Sequence, residues 1–387
     1  MTTEKLRDLL HEQVSDVTMT DLSASAWREG VRIRRRRAVA VVGGTAAAAL
    51  AVTAGVSVLG DDPVRGPGRP ATSGPTPTPT ESGEPDTTYA GAPVWVAPPL
   101  AEEAGLPRLD GTGLPAEIDL SPGAPSAAGI GRAVGVLGVW PDGDLSRVVA
   151  VGVDGGSYGV GIGGVLQEVR DEQGNVISAL TQDSLAPDGR HAFFVQERSL
   201  EVYDFQTGGW TRIETPPWLA EGARWVDAGK LWVPARLGGT TGTWYDILTG
   251  EPQGELVFRE PGAWPDGDDP TFGPWKASRD GVAQSRFLAE PVAVDGTAYA
   301  GLDAVVATRG GALPHLLVFR PLEERWKGCC PVVGWSDADH VLMESRTADA
   351  RVLAWRVGTH DVRQVSRIVG WVAGQESYVA SWSLLGL

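Results

Sequence analysis

The sequence predicts an all-β domain of repeated four-stranded units, preceded by one transmembrane α-helix. Three observations predict it. Residues 38–59 read AVAVVGGTAAAALAVTAGVSVL, 22 residues without a charge. Short runs rich in β-branched and aromatic residues, broken by Gly, Asp and Pro, fill the chain beyond about residue 93. The motif Y-D-x-x-T-G occurs twice, at Tyr203 and Tyr245, 42 residues apart.

The apolar run sets the first boundaries. A bilayer core needs about 20 apolar residues at a rise of ~1.5 Å each, so residues 38–60 are expected to span a membrane. Arg34, Arg35, Arg36 and Arg37 stand immediately before the run, and Asp61 and Asp62 after it. The formal net charge is −16 overall, divided as +2 over residues 1–37 and −18 over the remainder. Positive charge stays on the cytoplasmic side. Residues 1–37 are therefore expected in the cytoplasm and the bulk of the chain outside it. A cleaved signal peptide would carry a shorter apolar region, ~7–15 residues, so an uncleaved anchor is the expected form. Gly43, Ala47, Ala51 and Gly55 share one helix face, a spacing that lets membrane helices approach closely.

The flanks read differently. Leu6, Leu9, Leu10, Val14 and Val17 recur at helical spacing. They mark either a surface-bound tail or a helix that orders on a cytoplasmic partner. Residues 61–92 form the expected linker. Pro75-Thr76-Pro77-Thr78-Pro79-Thr80 alternates strictly, which favours an extended polyproline II stalk and marks a candidate for O-glycosylation.

Residues 93–387 are expected to form the extracytoplasmic domain. Val202-Tyr203-Asp204-Phe205-Gln206-Thr207-Gly208 aligns with Trp244-Tyr245-Asp246-Ile247-Leu248-Thr249-Gly250. Phe319-Arg320 and Trp355-Arg356 are assigned to similar strand-to-turn positions, with a degenerate copy near residues 275–300. Pro141-Asp142-Gly143, Pro187-Asp188-Gly189 and Pro265-Asp266-Gly267 form a second set, suited to tight hairpins. A period near 40–45 with four short strands per unit is the signature of propeller blades, which cover one another by closing into a ring.

Ser184-Leu185-Ala186-Pro187-Asp188-Gly189-Arg190-His191-Ala192-Phe193-Phe194, followed by Tyr203-Asp204 and Thr207-Gly208, resembles the blade repeat of TolB-like and WD40-like β-propellers. The layout of short cytoplasmic segment, Arg run, Ala-rich span, Pro/Thr stalk and propeller also resembles actinobacterial single-pass membrane proteins. The Gly-His…Trp-Asp signature of WD40 repeats is missing. Six blades are expected, with seven as the alternative. The resemblance implies an interaction scaffold and no particular chemistry.

A search for chemistry returns no catalytic, cofactor-binding or metal-binding set. His11, His191, His315, His340 and His360 show no metal-ligand spacing, and His191 belongs to a blade strand. No nucleophile elbow, P-loop or dinucleotide fingerprint occurs. Asp266, Asp268 and Asp269 cluster without the ligand spacing of a calcium loop, as do Asp142 and Asp144. Cys329 and Cys330 are adjacent; a vicinal disulfide, two thiols and a redox-sensitive loop all remain open. Trp225, Trp232, Trp244, Trp264 and Trp275 are expected as inter-blade packing; exposed, they would stack on sugar rings.

The acidic balance excludes a nucleic-acid partner, which needs a basic footprint. The expected partners are a lipid bilayer through residues 38–60, an extracytoplasmic protein, peptide or cell-wall ligand, and a cytoplasmic partner of residues 1–37. The expected function is a non-catalytic binding or scaffold module in the cell membrane. The alternative is a transmembrane signalling protein of anti-sigma-like kind, although the Cys/His zinc motif of one such class is absent. A propeller hydrolase or lyase comes third.

Overall fold

The computed structural model describes residues 83–141, 145–171, 174–258, 271–310, 312–321, 325–326 and 328–383. The segments 1–37 and 38–60, and residues 61–82, lie outside them. Among the described residues no helix is long and apolar enough to cross a membrane. Helical structure there is limited to two 3-10 segments, Leu100–Gly105 and Leu219–Gly222.

Five antiparallel sheets follow one another as blades. Blade 1 combines Glu376–Trp382 with Ala133–Pro141, Arg147–Gly152 and Ser157–Val160. Blade 2 holds His191–Val195, Ser199–Asp204 and Trp210–Glu214, with a bridge from Leu185 to Ala192 supplying its first strand. Blade 3 holds Arg224–Asp227, Lys230–Pro234, Thr241–Asp246 and Pro252–Val257. Blade 4 is built on Thr271–Ala277, Gly281–Leu288, Leu302–Arg309 and His315–Val318, and blade 5 on Val332–Trp335, His340–Ser345, Arg351–Arg356 and Val362–Val369. The C-terminal strand Glu376–Trp382 pairs with Ala133–Pro141 over seven positions, so the last strand closes the ring through the first blade.

The expectation of six blades, or seven, is corrected to five. The residues that would have made another blade run along the rim instead. Thr87–Tyr89, already within the stretch expected as linker, pairs with Ala92–Val96, and the latter adds in parallel to His315–Val318 of blade 4. Glu117–Asp119 adds in parallel to Val362–Val369 of blade 5. Ser126 bridges Gly159 of blade 1, where the Gly159 N–H donates to Pro125 O at 2.7 Å. Between these pairings Glu103 is buried; it accepts from Arg325 at 2.7 Å and from Ser345 Oγ at 3.0 Å.

The twin motif maps onto equivalent turns. In both blades the Tyr-Asp pair ends the third strand. Asp204 Oδ1 accepts the Gln206 N–H at 2.8 Å, and Asp246 Oδ1 accepts the Leu248 N–H at 2.9 Å. Gly208 and Gly250 donate back to the carbonyls of those aspartates from φ +73° and +72°, the left-handed region that glycine enters without a Cβ clash. Trp355-Arg356 ends the third strand of blade 5, as expected. Phe319-Arg320 does not match: it follows the fourth strand of blade 4, whose third strand is Leu302–Arg309. The hairpin Val292–Val294/Thr297–Tyr299 is inserted between the second and third strands there and displaces the count.

Apolar side chains alternate to both faces of each blade, so each junction needs a shared core. Phe194, Ala192 and Leu180 pack with Val136, Val148 and Ala150 between blades 1 and 2. Phe193, Val202 and Ile213 meet Trp225, Leu231 and Tyr245 between blades 2 and 3. Val305 and Leu317 meet Trp335, Met343 and Trp355 between blades 4 and 5, and Leu342 and Val352 meet Leu137, Tyr378 and Trp382 between blades 5 and 1.

Candidate functional site

Two places concentrate polar and aromatic groups that these cores do not absorb. The first is the axis. Lys276 on the first strand of blade 4 donates from Nζ to the Trp382 carbonyl of blade 1 at 2.6 Å, reaching past blade 5. Non-adjacent blades meet only near the centre of a ring, so the first strand of each sheet is innermost. Ser381 Oγ donates to Gln182 O at 2.9 Å, and Arg224 lies 3.9 Å from Asp183. Burial pushes the Lys276 ammonium below its ordinary range, while Asp183 and Glu344 pull it back up. These groups satisfy one another and the inner strands' carbonyls; the axial belt ties blades together.

The second place is the junction between blades 3 and 4. Among the described residues no apolar cluster spans it. On the blade 4 side Val94, Leu288, Ala304, Val306 and Leu316 are covered by the inserted hairpin through Val292 and Val294. On the blade 3 side, the face opposite Leu231 and Val233 carries Trp232 and Pro234, with Arg224 and Phe258 beside them. These line a cleft of about 530 Å³ with Thr240 and Val257. Five of the nine large apolar side chains left exposed among the described residues lie between Trp218 and Val257; Leu237 is 48% exposed and Val257 53%.

Local chemistry shapes the cleft. The Trp232 ring stacks on Phe258 at 5.0 Å between centroids, 30° apart. Trp232 Nε1 donates to Leu256 O at 3.1 Å, crossing above Gly242, where a Cβ would collide with the indole. The Arg224 guanidinium lies 5.6 Å from the centre of the Phe258 ring, within cation–π range. Arg236, in the turn beside Gly239, is exposed and makes no ion pair among the described residues. Trp232 is itself buried against Phe258, so the apolar surface that the cleft offers is that of Phe258 and Val257, with the exposed Arg236 guanidinium nearby. That suits a bulky apolar or aromatic group next to a carboxylate.

The residues singled out in the sequence are scattered. Trp225 is core between blades 2 and 3, and its Nε1 donates to Ser184 O at 2.9 Å. Trp232 lines the cleft, Lys230 lies over Trp244, and Arg286 over Trp275. The expected inter-blade packing role therefore holds for Trp225, whereas Trp232 is buried within blade 3 against Phe258, at the wall of the cleft. Trp264 and the cluster Asp266, Asp268 and Asp269 lie outside the described residues, as do Asp142 and Asp144. Cys329 and Cys330 form a vicinal disulfide, fully buried beside Trp95, Trp335 and Met343. Ser285 Oγ donates to Cys330 O at 2.7 Å, linking the cysteine turn to blade 4. Phe258 and Arg224 went unnoticed in the sequence, because no repeat or motif marks the residue that opens a blade's first strand or the one that follows its fourth.

The histidines stay apart. His191 is buried in a blade 2 strand, 3.9 Å from Asp204, and His315 lies against Trp95 with ring centroids 5.0 Å apart. Among the described residues no three His, Cys, Asp or Glu side chains gather as a metal site would need. Burial lowers the pKa of both His191 and His315. Asp204 and Asp188 oppose this at His191, while Arg190 there and Arg309 at His315 reinforce it. A lowered folded value means that the folded state takes up the proton less readily than the unfolded chain. Stability is therefore constant above about pH 6.5, the ordinary histidine value, and falls below it as the unfolded state binds protons. Thermal melts should give a flat Tm from pH 8 to 7 and a decline toward pH 5.5. The double substitution His191→Asn and His315→Asn should flatten that decline; an unchanged slope would remove these two groups as its cause.

No family model matches the chain, and no curated protein matches it. Solved structures similar to it include a TolB of Agrobacterium tumefaciens, at 11% identity and a TM-score of 0.31, covering 65% of this chain and 99% of that one. The β-propeller domain of the Trilobed protease from Pyrococcus furiosus is 13% identical with a TM-score of 0.23, covering 60% and 69%. The AtxE2 isopeptidase is 12% identical with a TM-score of 0.31, covering 67% and 47%. Values this low leave the fold to be read from the chain's own strand order, which is that of a five-bladed propeller.

Proposed function

We propose that the chain is a membrane-anchored, extracytoplasmic binding module, held by residues 38–60, whose propeller takes a protein, peptide or cell-wall ligand in the blade 3 cleft. One observation carries the site: of the five junctions, that between blades 3 and 4 lacks a shared apolar core among the described residues, and it presents an aromatic, guanidinium-flanked cleft there. Binding sites favour such concave, mostly apolar places with a few aimed polar groups. The placement is supported by the uncharged run at residues 38–59, the arginines before it and the acidic remainder. The reading involves no catalytic step.

Protease added to intact cells should remove a C-terminal tag from the full chain, while a tag on residue 1 stays protected; the opposite pattern overturns the orientation. The paired substitutions Arg224→Ala and Phe258→Ala should weaken retention of extracytoplasmic ligand by the full chain about tenfold or more, equivalent to ~1.4 kcal/mol. Retention equal to wild type removes the cleft from the proposal.

The helical spacing of Leu6, Leu9, Leu10, Val14 and Val17 favours a second reading, in which residues 1–37 pass the binding event to a cytoplasmic regulator. Retention of no cytoplasmic protein by a segment 1–37 bait counts against it.

A further inference from the structure

The outer edges of the blades are treated unequally. Blades 4 and 5 each receive an extra parallel strand from the rim segment, over three paired positions in both cases. Blade 1 receives the bridge at Ser126. The outer strand of blade 2 is abutted by the blade 3 turn, where a Cβ on Gly250 would lie 3.1 Å from the Arg212 carbonyl oxygen. The outer strand of blade 3, Pro252–Val257, pairs with Thr241–Asp246 on one side and with no described residue on the other. All its residues are exposed except Leu256.

Its hydrogen-bonding direction is determined. The Phe258 N–H donates to Thr240 O at 2.7 Å, toward the inside of the sheet. Backbone groups alternate along a strand. Leu256 and Gly254 therefore also face inward, and the N–H and C=O groups of Glu255 and Val257 face outward. This edge ends at Val257 and Phe258, which line the cleft. An unpaired edge is a template for another strand, and a pocket beside it reads that strand's alternate side chains.

We infer that the outer edge of blade 3 and its cleft form one site for an extended peptide of a partner protein, which adds in parallel to Pro252–Val257 and places a bulky apolar or aromatic side chain, with a neighbouring carboxylate, in the cleft. The inference rests on the binding role proposed above and names its ligand. The occupant is argued from this chain's own behaviour, since equivalent edges on blades 4 and 5 already hold extended strands in that direction. Arg236, exposed in the turn beside the cleft, supplies the charge complementary to the carboxylate. Parallel pairing sets the polarity: the cleft lies at the C-terminal end of the strand, so the anchoring side chain sits toward the C-terminal end of the paired stretch.

The probe is a random dodecapeptide display library, selected on the full chain in lipid nanodiscs. Selected peptides should carry an aromatic or large aliphatic residue with Asp or Glu within two positions. In a resynthesised binder, single N-methylation along the backbone should weaken affinity about tenfold at every second residue and little between, the signature of one paired edge; this measurement needs no protein variant. Glu255→Pro should erase that alternation, because it removes an outward N–H while leaving the inward ladder intact. Binding that is lost with Phe258→Ala but shows no N-methyl periodicity overturns the edge inference and leaves the cleft as a binding site. Binders indifferent to Phe258→Ala, or a library yielding none, overturn the inference and the proposed site together.

Discussion

Ending the chain at Gly370 abolishes cooperative folding of the propeller. The deletion removes Glu376–Trp382, the innermost strand of blade 1, and leaves the edge of Ala133–Pro141 unpaired at all seven positions. It also withdraws Tyr378, Ala380 and Trp382 from the core shared by blades 5 and 1. Losing a buried large aromatic costs about 3–5 kcal/mol. Two of them, with the ladder hydrogen bonds at ~0.5–1.5 kcal/mol each, exceed the ~5–15 kcal/mol that a domain has in total. The truncated chain should lose its near-ultraviolet circular dichroism and melt without a sigmoidal transition. A cooperative melt within a few degrees of wild type would show that the ring does not depend on this closure.

Glu344→Ala has the largest effect expected of a single substitution. Glu344 is fully buried on the second strand of blade 5. It accepts from Arg346 Nε at 2.9 Å and from Trp382 Nε1 of blade 1 at 2.7 Å, so one carboxylate serves two blades. Tyr378 stands beside the pair, its hydroxyl pushed well above the ordinary phenol range by burial. Removing the carboxylate strands the Arg346 charge in a dry interior and leaves the indole N–H unpaired. Breaking one partner of a buried pair costs about 3–5 kcal/mol. For a domain of this size the melting temperature should fall by roughly 10 °C, at ~2–4 °C per kcal/mol. Replacing both partners, with Glu344→Leu and Arg346→Met, should recover most of the loss, because the charge and its mate leave together. A single variant that melts within 2 °C or so of wild type, or a double variant worse than the single, would refute this account.

Both effects arise where blades meet, and the sequence disclosed those junctions unevenly. The repeat carrying Tyr203-Asp204 and Tyr245-Asp246 was legible because its turn chemistry is local: an aspartate side chain, a threonine and a glycine at positive φ close the same hairpin wherever they occur. The blade count was not. Rim strands such as Glu117–Asp119 carry the same short β-type patterns as blade strands, and only their hydrogen-bonding partners, some 250 residues away, distinguish them. No local pattern sets Glu344 apart from the other carboxylates of the chain. Its burial depends on Trp382 arriving from the other end of the chain.

The candidate site shows the same division. Trp232 stood out by composition, yet whether it packs between blades or lines a cleft depends on what faces it. That is decided by the hairpin at Val292–Val294, which covers blade 4, so that among the described residues no apolar cluster joins it to blade 3. Arg224 and Phe258 are 34 residues apart and carry no motif; the meander of blade 3 brings them together.

The sequence alone determined what depends on local pattern: an all-β repeat architecture after the linker, its turn residues, and the expectation of an apolar anchor with its charge asymmetry. The tertiary structure decided the number of blades, the closure by the last strand, the pairing of Glu344 with Arg346 and Trp382, and which edge of blade 3 has no partner among the described residues. The physical reason is that periodicity and turn chemistry act over a few residues, whereas burial and strand pairing depend on groups the chain brings together only when the ring closes.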